Sequence, residues 1–232
     1  MKEAGAKRAL VLPISVPSHC SLMKDAAIDF KHSVDNINFQ MGSDRVLHNV
    51  DADYSNNIEE IKSNFGSVNL VEPLKQFGRL TLSYDDPSKL GVDRFLAMLG
   101  ALERFPEQPL LVIDAGSAVT FDVIDSKGMH QGGLIMPGIK ALRQSFPKFS
   151  TGDLSLKSSF LKNSTKGAWQ SGTHAMLVSA INSQIQNFEL KYPGGVVTIC
   201  GGVAKEILKE LPVSVKPYDN LVLDGLESYS QS

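Results

Sequence analysis

Between Leu110 and Gly138 the apolar and polar positions change rhythm in a way that outlines three strands. Leu110-Leu111-Val112-Ile113 is a continuous apolar run, as expected of a strand buried on both faces. It ends in Asp114-Ala115-Gly116-Ser117, so a carboxylate stands where a buried strand gives out. Val119, Phe121 and Val123 then alternate with Thr120, Asp122 and Ile124, a period of two that carries the chain back beside the first strand. Ser126-Lys127-Gly128 closes a hairpin, and residues 132–138 give a third strand running into a Pro-Gly break.

The flanking patterns are simpler. Residues 7–16 read as a strand broken by Pro13, Ser21 as the N-cap of a helix over about 22–34, residues 45–50 as a strand and 57–64 as a helix. Residues 68–74 and 79–83 are short apolar segments of strand type, and Tyr84 to Ser88 is a loop with strong turn chemistry. Phe95 to Leu102 is an apolar helix with Asp93 near its N-terminus. Downstream, the pattern predicts a helix over 139–146 and a polar connector over 150–158. A longer helix over 172–188 follows, with Ala175, Leu177, Val178, Ile181 and Ile185 on its apolar side. Last come a strand over 196–199, a helix over 204–210 and an edge piece over 213–216. Trp169 reads as core, and His130 and His174 as surface or packing residues.

Composition adds limits. The 232 residues are 42% hydrophobic and 21% charged, an ordinary globular balance with room for one large domain or two smaller ones. A formal net charge of -2 gives no sign of a nucleic-acid or membrane surface. Cys20 and Cys200 lie far apart without metal-ligand spacing, so a reducing cytoplasm is the expected compartment. No apolar run approaches the roughly 20 residues that span a bilayer, and the first ten residues lack a signal-peptide core.

Two places carry candidate chemistry. Gly116 lets another group approach the backbone closely, while Ser117 offers a hydroxyl and neighbouring N–H groups, a plausible phosphate seat. Asp114 cannot touch a polyphosphate directly, because like charges in contact repel by several kcal/mol at an effective dielectric of about 20. A cation between them is implied. The same four residues also fit a polar hairpin turn. Asp93 is stabilised by the dipole of the helix that it opens, and Arg94 can neutralise an anionic substrate or fork onto a carboxylate. Composition alone favours a helix cap with a surface ion pair for those two residues.

The blocks taken together go further. Leu90-Gly91-Val92-Asp93-Arg94, Asp114 to Thr120, and Gly132-Gly133-Leu134-Ile135-Met136-Pro137-Gly138 closely resemble the type III pantothenate kinases. Asn163 to Ala168 with Ser171-Gly172, Cys200-Gly201-Gly202-Val203-Ala204, and Leu221 to Leu226 agree, so the resemblance runs from about Gly66 to Tyr229. It implies an α/β fold of actin-like ATPase architecture, built from two ribonuclease-H-like halves with ATP between them, and phosphorylation of pantothenate in coenzyme A synthesis. On that resemblance Asp93 would be the catalytic base, with Tyr84, Gly91, Val92 and Arg94 in the substrate site. Asp114 would bind a monovalent cation, K+ or NH4+, and help place Mg2+ and the phosphates. Ser117, where the family commonly has threonine, and Gly116 would face the phosphates, and Gly201 and Gly202 the adenosine. Thr165 would contact pantothenate across a homodimer interface.

Residues 2–62 resemble something else. Val16-Pro17-Ser18-His19-Cys20-Ser21-Leu22-Met23, with Ala4 to Ala9 before it and His48 to Ala52 after it, is similar to an internal piece of malonyl-CoA:acyl carrier protein transacylases. His19 matches that family's catalytic histidine, yet no Gly-x-Ser-x-Gly elbow occurs in the chain, so a turn residue is the preferred reading of His19. Nor does the Asp-x-Gly-Asn-Thr phosphate loop of the kinases occur. The expected organisation is therefore a transacylase-like segment over 1–64, the remainder of a first kinase half over 65–107, and a complete second half over 108–232. Weak or absent kinase activity, or a non-catalytic dimer that keeps pantothenate binding, is expected with it.

Overall fold

The structure is a computed structural model and describes residues 70–149 and 161–231. The readings made for residues 1–69, His19 included, and for the connector over 150–158 fall outside those residues.

The described chain opens with a hairpin, β1 (Gln76–Phe77) and β2 (Leu80–Thr81), and a 3-10 turn at Pro87–Lys89. Helix α1 (Val92–Arg104) follows, then β3 (Leu110–Ala115), β4 (Ala118–Ile124) and β5 (His130–Pro137). Helices α2 (Ile139–Gln144) and α3 (Thr165–Lys191) lead to β6 (Val196–Cys200), α4 (Ala204–Ile207), β7 (Lys216–Pro217) and α5 (Leu221–Ser230). The main sheet has the order β5-β4-β3-β6-β7. Neighbours β5, β4 and β3 are antiparallel, whereas β3-β6 and β6-β7 are parallel. That order and those directions are the ribonuclease-H-like sheet of the actin-like ATPases, as expected.

Both faces of the sheet are covered at β3, which is why that strand reads as an unbroken apolar run. Leu110, Val112 and Ile124 point to one core with Phe95, Leu96, Met98, Leu99 and Leu102 of α1 and Leu221 of α5. Leu111, Ile113, Ala115, Val119 and Phe121 point to the other, with Leu177, Val178, Ile181 and Ile185 of α3. Helix α1 is buried from Arg94 to Leu102 because the sheet lies on one side and α5 on another. The two helices touch through glycines: a Cβ at Gly100 would strike the Leu221 carbonyl, and one at Gly225 the Leu96 carbonyl.

Several expectations change. Helix α3 begins at Thr165 rather than at 172, since the Ser164 side chain caps it by accepting from Gly167 N–H at 3.2 Å. Ala175 is exposed, lying off the stripe of Leu177, Val178, Ile181 and Ile185. Val213 is fully exposed and the last strand is Lys216–Pro217. Trp169 is only half-buried, its indole N–H donating to the Arg143 carbonyl at 3.0 Å. His130 and His174 are both buried packing residues, each against a carboxylate. No helix among the described residues is long and apolar enough to cross a membrane.

Candidate active site

The period of two along β3 places Asp114 on the same face as Leu110 and Val112, the face covered by α1. Residues 105–109 turn the chain back between α1 and β3, so the N-terminus of α1 lies beside the C-terminal end of the strand. Asp93 and Asp114 therefore lie at the same end of the sheet, the end where open α/β proteins receive ligands. Their charges interact: burial pushes the Asp114 carboxyl up to about 6, and the negative charge of Asp93 adds to that. The Cys200 thiol, on the strand paired with Asp114, is pushed up to about 12 by burial and by both carboxylates.

Asp93 is exposed and Asp114 half-buried. One oxygen of Asp93, Oδ1, accepts from the Arg94 backbone N–H at 2.8 Å, which leaves Oδ2 for an incoming hydroxyl. Gly91 makes room for it, because a Cβ there would stand 2.5 Å from Asp93 Oδ1. Val92 is half-buried against the α1 core and contributes shape rather than charge.

Around Asp114 the backbone folds tightly. Gly201, at φ +98, lets the turn after β6 cross the end of β3, where a Cβ would strike Asp114 Oδ1 and sit 2.6 Å from the Ala115 carbonyl. Val203 N–H donates to the Ala115 carbonyl at 3.1 Å and fixes that crossing. Gly202 is exposed with open space above its Cα, and Ser117 is exposed at the β3-β4 turn. The Ser117 carbonyl accepts from Gly138 N–H at 3.1 Å, so the turn is braced by the start of α2.

Arg94 lies where the sequence left two options, and it takes the inward one. Its guanidinium forks onto Asp122 of β4, Nε to Oδ2 at 2.9 Å and Nη2 to Oδ1 at 2.6 Å, with Nη1 donating to Tyr84 Oη at 3.1 Å. The side chains are 5% and 2% exposed, a buried pair rather than a surface one. Burial opposes the Arg94 charge, but Asp122 more than reverses this and the proton is held above its ordinary affinity. Thr165 opens α3, exposed, and no hydrogen bond or ion pair among the described residues joins it to the Asp93-Asp114 cluster. The sequence placed Asp122 only in the alternation of its strand, His130 only as a surface or packing residue, and Cys200 only by its spacing and its motif, none of them at the site. The signal available was a lone charge in the otherwise apolar β4, and a histidine directly ahead of Gln131-Gly132-Gly133.

Among the described residues no three His, Cys, Asp or Glu side chains cluster as metal ligands. The donor set at the cleft is two facing carboxylates, with no hydrogen bond among the influences on Asp114. A hard cation with oxygen ligands fits such a pair, completed by substrate oxygens and water.

The type III pantothenate kinase family profile matches residues 24–187. That match extends over residues 24–62, where a transacylase-like segment was the expectation. A type III pantothenate kinase of Azoarcus sp. is 36% identical over 146 residues, covering 62% of this chain and 54% of that protein. One from Colwellia psychrerythraea is 31% identical over 170 residues, covering 65% and 66%. The chain thus spans about 54% to 66% of the length of these two curated relatives. Among solved structures, a Campylobacter jejuni protein described as a Baf family transcriptional activator superposes with a TM-score of 0.54 at 22% identity, over 77% of this chain and 79% of that one.

Proposed function

Starting from the chain's membership of the type III pantothenate kinase family, we propose that it binds pantothenate and ATP in the cleft between Asp93 and Asp114 and transfers the γ-phosphoryl group to the pantothenate hydroxyl. The observation that supports this is that those two carboxylates, from different elements, stand at one end of the sheet near enough for the charge of Asp93 to act on Asp114. In the proposed reaction Oδ2 of Asp93 takes the hydroxyl proton as the oxygen attacks the γ-phosphorus in line, and ADP leaves. Asp114 is the residue that holds the monovalent cation, K+ or NH4+, and helps seat Mg2+. Those cations supply the positive charge that offsets the phosphates. The Ser117 hydroxyl and the Gly116 turn receive the phosphates, and the open backbone at Gly201 and Gly202 receives the adenosine. Tyr84, Gly91 and Val92 shape the pantothenate side, and Thr165 reaches it from a second copy in a homodimer. A cytoplasmic location agrees with a reaction that draws on ATP.

The 232 residues contain no Asp-x-Gly-Asn-Thr loop. If each charge-assisted phosphate contact is worth about 1.5 to 3 kcal/mol, losing several slows transfer by orders of magnitude. This supports slow turnover by the chain as given, and a second reading in which it is a dimer that binds pantothenate without phosphorylating it. The ribonuclease-H-like sheet supports taking 108–232 as one complete half. The family match back to residue 24 weighs against a sharp junction near residues 62–66. No acyl-transfer chemistry is assigned to residues 2–62, because the 232 residues contain no Gly-x-Ser-x-Gly elbow to go with His19.

The test is phosphopantothenate formation by the purified chain with ATP, Mg2+ and K+ or NH4+, beside calorimetric titration with pantothenate. Product that vanishes in Asp93→Asn supports the kinase; heat of pantothenate binding without product supports the second reading. Neither product nor binding overturns both.

A further inference from the structure

Arg94 has its donors directed into the protein. Nε and Nη2 are taken by Asp122 and Nη1 serves Tyr84, so the guanidinium brings no uncompensated positive charge to the cleft. Asp122 in turn is held from behind. Its Oδ1 also lies 3.0 Å from His130 Nε2, and His130 Nδ1 lies 3.2 Å from Ser83 Oγ. A neutral imidazole with its proton on Nε2 satisfies both contacts, donating to the carboxylate and accepting from the serine hydroxyl. The His130 ring also stacks on the Tyr84 ring, 6.0 Å between centroids and 13° apart. Strand β5 seals the assembly: a Cβ at Gly133 would stand 2.5 Å from Asp122 Oδ1 and collide with Arg94 Nη2.

The consequence falls on two groups at the cleft. The backbone N–H that fixes Asp93 Oδ1 belongs to Arg94, so gripping the Arg94 side chain steadies the turn that carries Asp93. Tyr84 Oη accepts from Arg94, and its own proton is left for a further acceptor. A phenol that already accepts from a cation is a stronger donor in a partly dry site. We propose that Asp122 and His130 are positioning residues of the pantothenate site, which act through Arg94 to hold the Asp93 turn and to present the Tyr84 hydroxyl as a donor to an oxygen of the substrate. Arg94 is then a brace and not the receptor of the substrate's carboxylate. This rests on the pantothenate reading above.

The test is calorimetric titration of the whole chain with pantothenate, with circular dichroism to confirm folding. Tyr84→Phe is expected to weaken binding about tenfold. His130→Phe, which keeps a ring for stacking but removes both nitrogens, should weaken it similarly, and His130→Gln, whose amide can still donate to Asp122, should recover most of the loss. The decisive result is the double variant Tyr84→Phe/His130→Phe: if His130 acts through the Tyr84 hydroxyl, it binds no more weakly than the poorer single variant. Losses that multiply to about a hundredfold, or a folded His130→Phe that binds like the parent, overturn the proposal. If His130→Phe does not fold, Ser83→Ala replaces it, with an expected loss of three- to fivefold and the same non-additivity. A parent chain that binds no pantothenate refutes the substrate reading, and the Arg94 Nε–H NMR signal then decides the brace. Slow exchange that quickens in the His130 or Ser83 variant supports it, and indifference to the change overturns it.

Discussion

At Asp114 the folded chain holds a proton more tightly than the unfolded chain does, because burial and the facing Asp93 disfavour its charge. Its carboxyl stands at about 6 against an ordinary 3.8. The folded state therefore binds more protons between those values, and this group's contribution to stability falls as pH rises from about 4 through 6, then stays level. Asp114→Asn removes the effect and, allowing for partial exposure, should stabilise the cation-free protein by about 1 to 2 kcal/mol at pH 7.5. Thermal melts at pH 4.5 and 7.5 would show the gain only at the higher pH. In the same assay K+ should raise the melting temperature of the parent and leave the asparagine variant unmoved. Cys200, pushed up to about 12, should resist iodoacetamide at pH 8 in the folded protein and react once it is unfolded, as mass spectrometry would report. Asp93 and Asp114 were legible in the sequence because each marks the end of a strongly patterned element. Asp122 was not, because alternation along β4 fixes only that it shares a face with Ile124. Which side chain waits across that face depends on where α1 packs, a long-range fact.

Among the elements, the crossing of α1 and α5 depends on two absent side chains, at Gly100 and Gly225. Gly225→Ala would push a methyl group into the Leu96 carbonyl and separate the helices, for a loss of about 3 kcal/mol. Urea denaturation would measure it, and weaker pantothenate binding should accompany it because α1 carries Asp93. Sequence pattern foresaw α1 and the strands β3, β4, β5 and β6, whose apolar stretches are denser, but misplaced the short, exposed β7. It treated Leu221 to Leu226 only as a motif, because a glycine inside a helix lowers the helical signal until a partner helix explains it. It also started α3 seven residues late, where the polar Lys166, Gln170 and Ser171 hide a helix whose first turns stand in solvent.

At the scale of the molecule, the cleft gathers negative charge that the described residues named around it do not offset. Asp93 and Asp114 stand at it, and the Arg94 guanidinium is neutralised by Asp122. ATP, a polyanion, should bind only with Mg2+ present: EDTA is expected to weaken nucleotide binding by at least a hundredfold in calorimetry and to change pantothenate binding little. The family resemblance read from ordered motifs led to the same expectation of cations, but not to Arg94 being spent inside the protein.

The parallel pairing of β3 with β6 sets when such a cleft can exist at all. Its floor is written by Asp114, but the backbone that closes over it, Gly201 to Val203, arrives only after the long excursion through β4, β5, α2 and α3. Assembly must wait for the most distant contact in the sheet, the slow kind. A nascent chain still short of Val196 already possesses both acids, yet lacks the roof that would close over them.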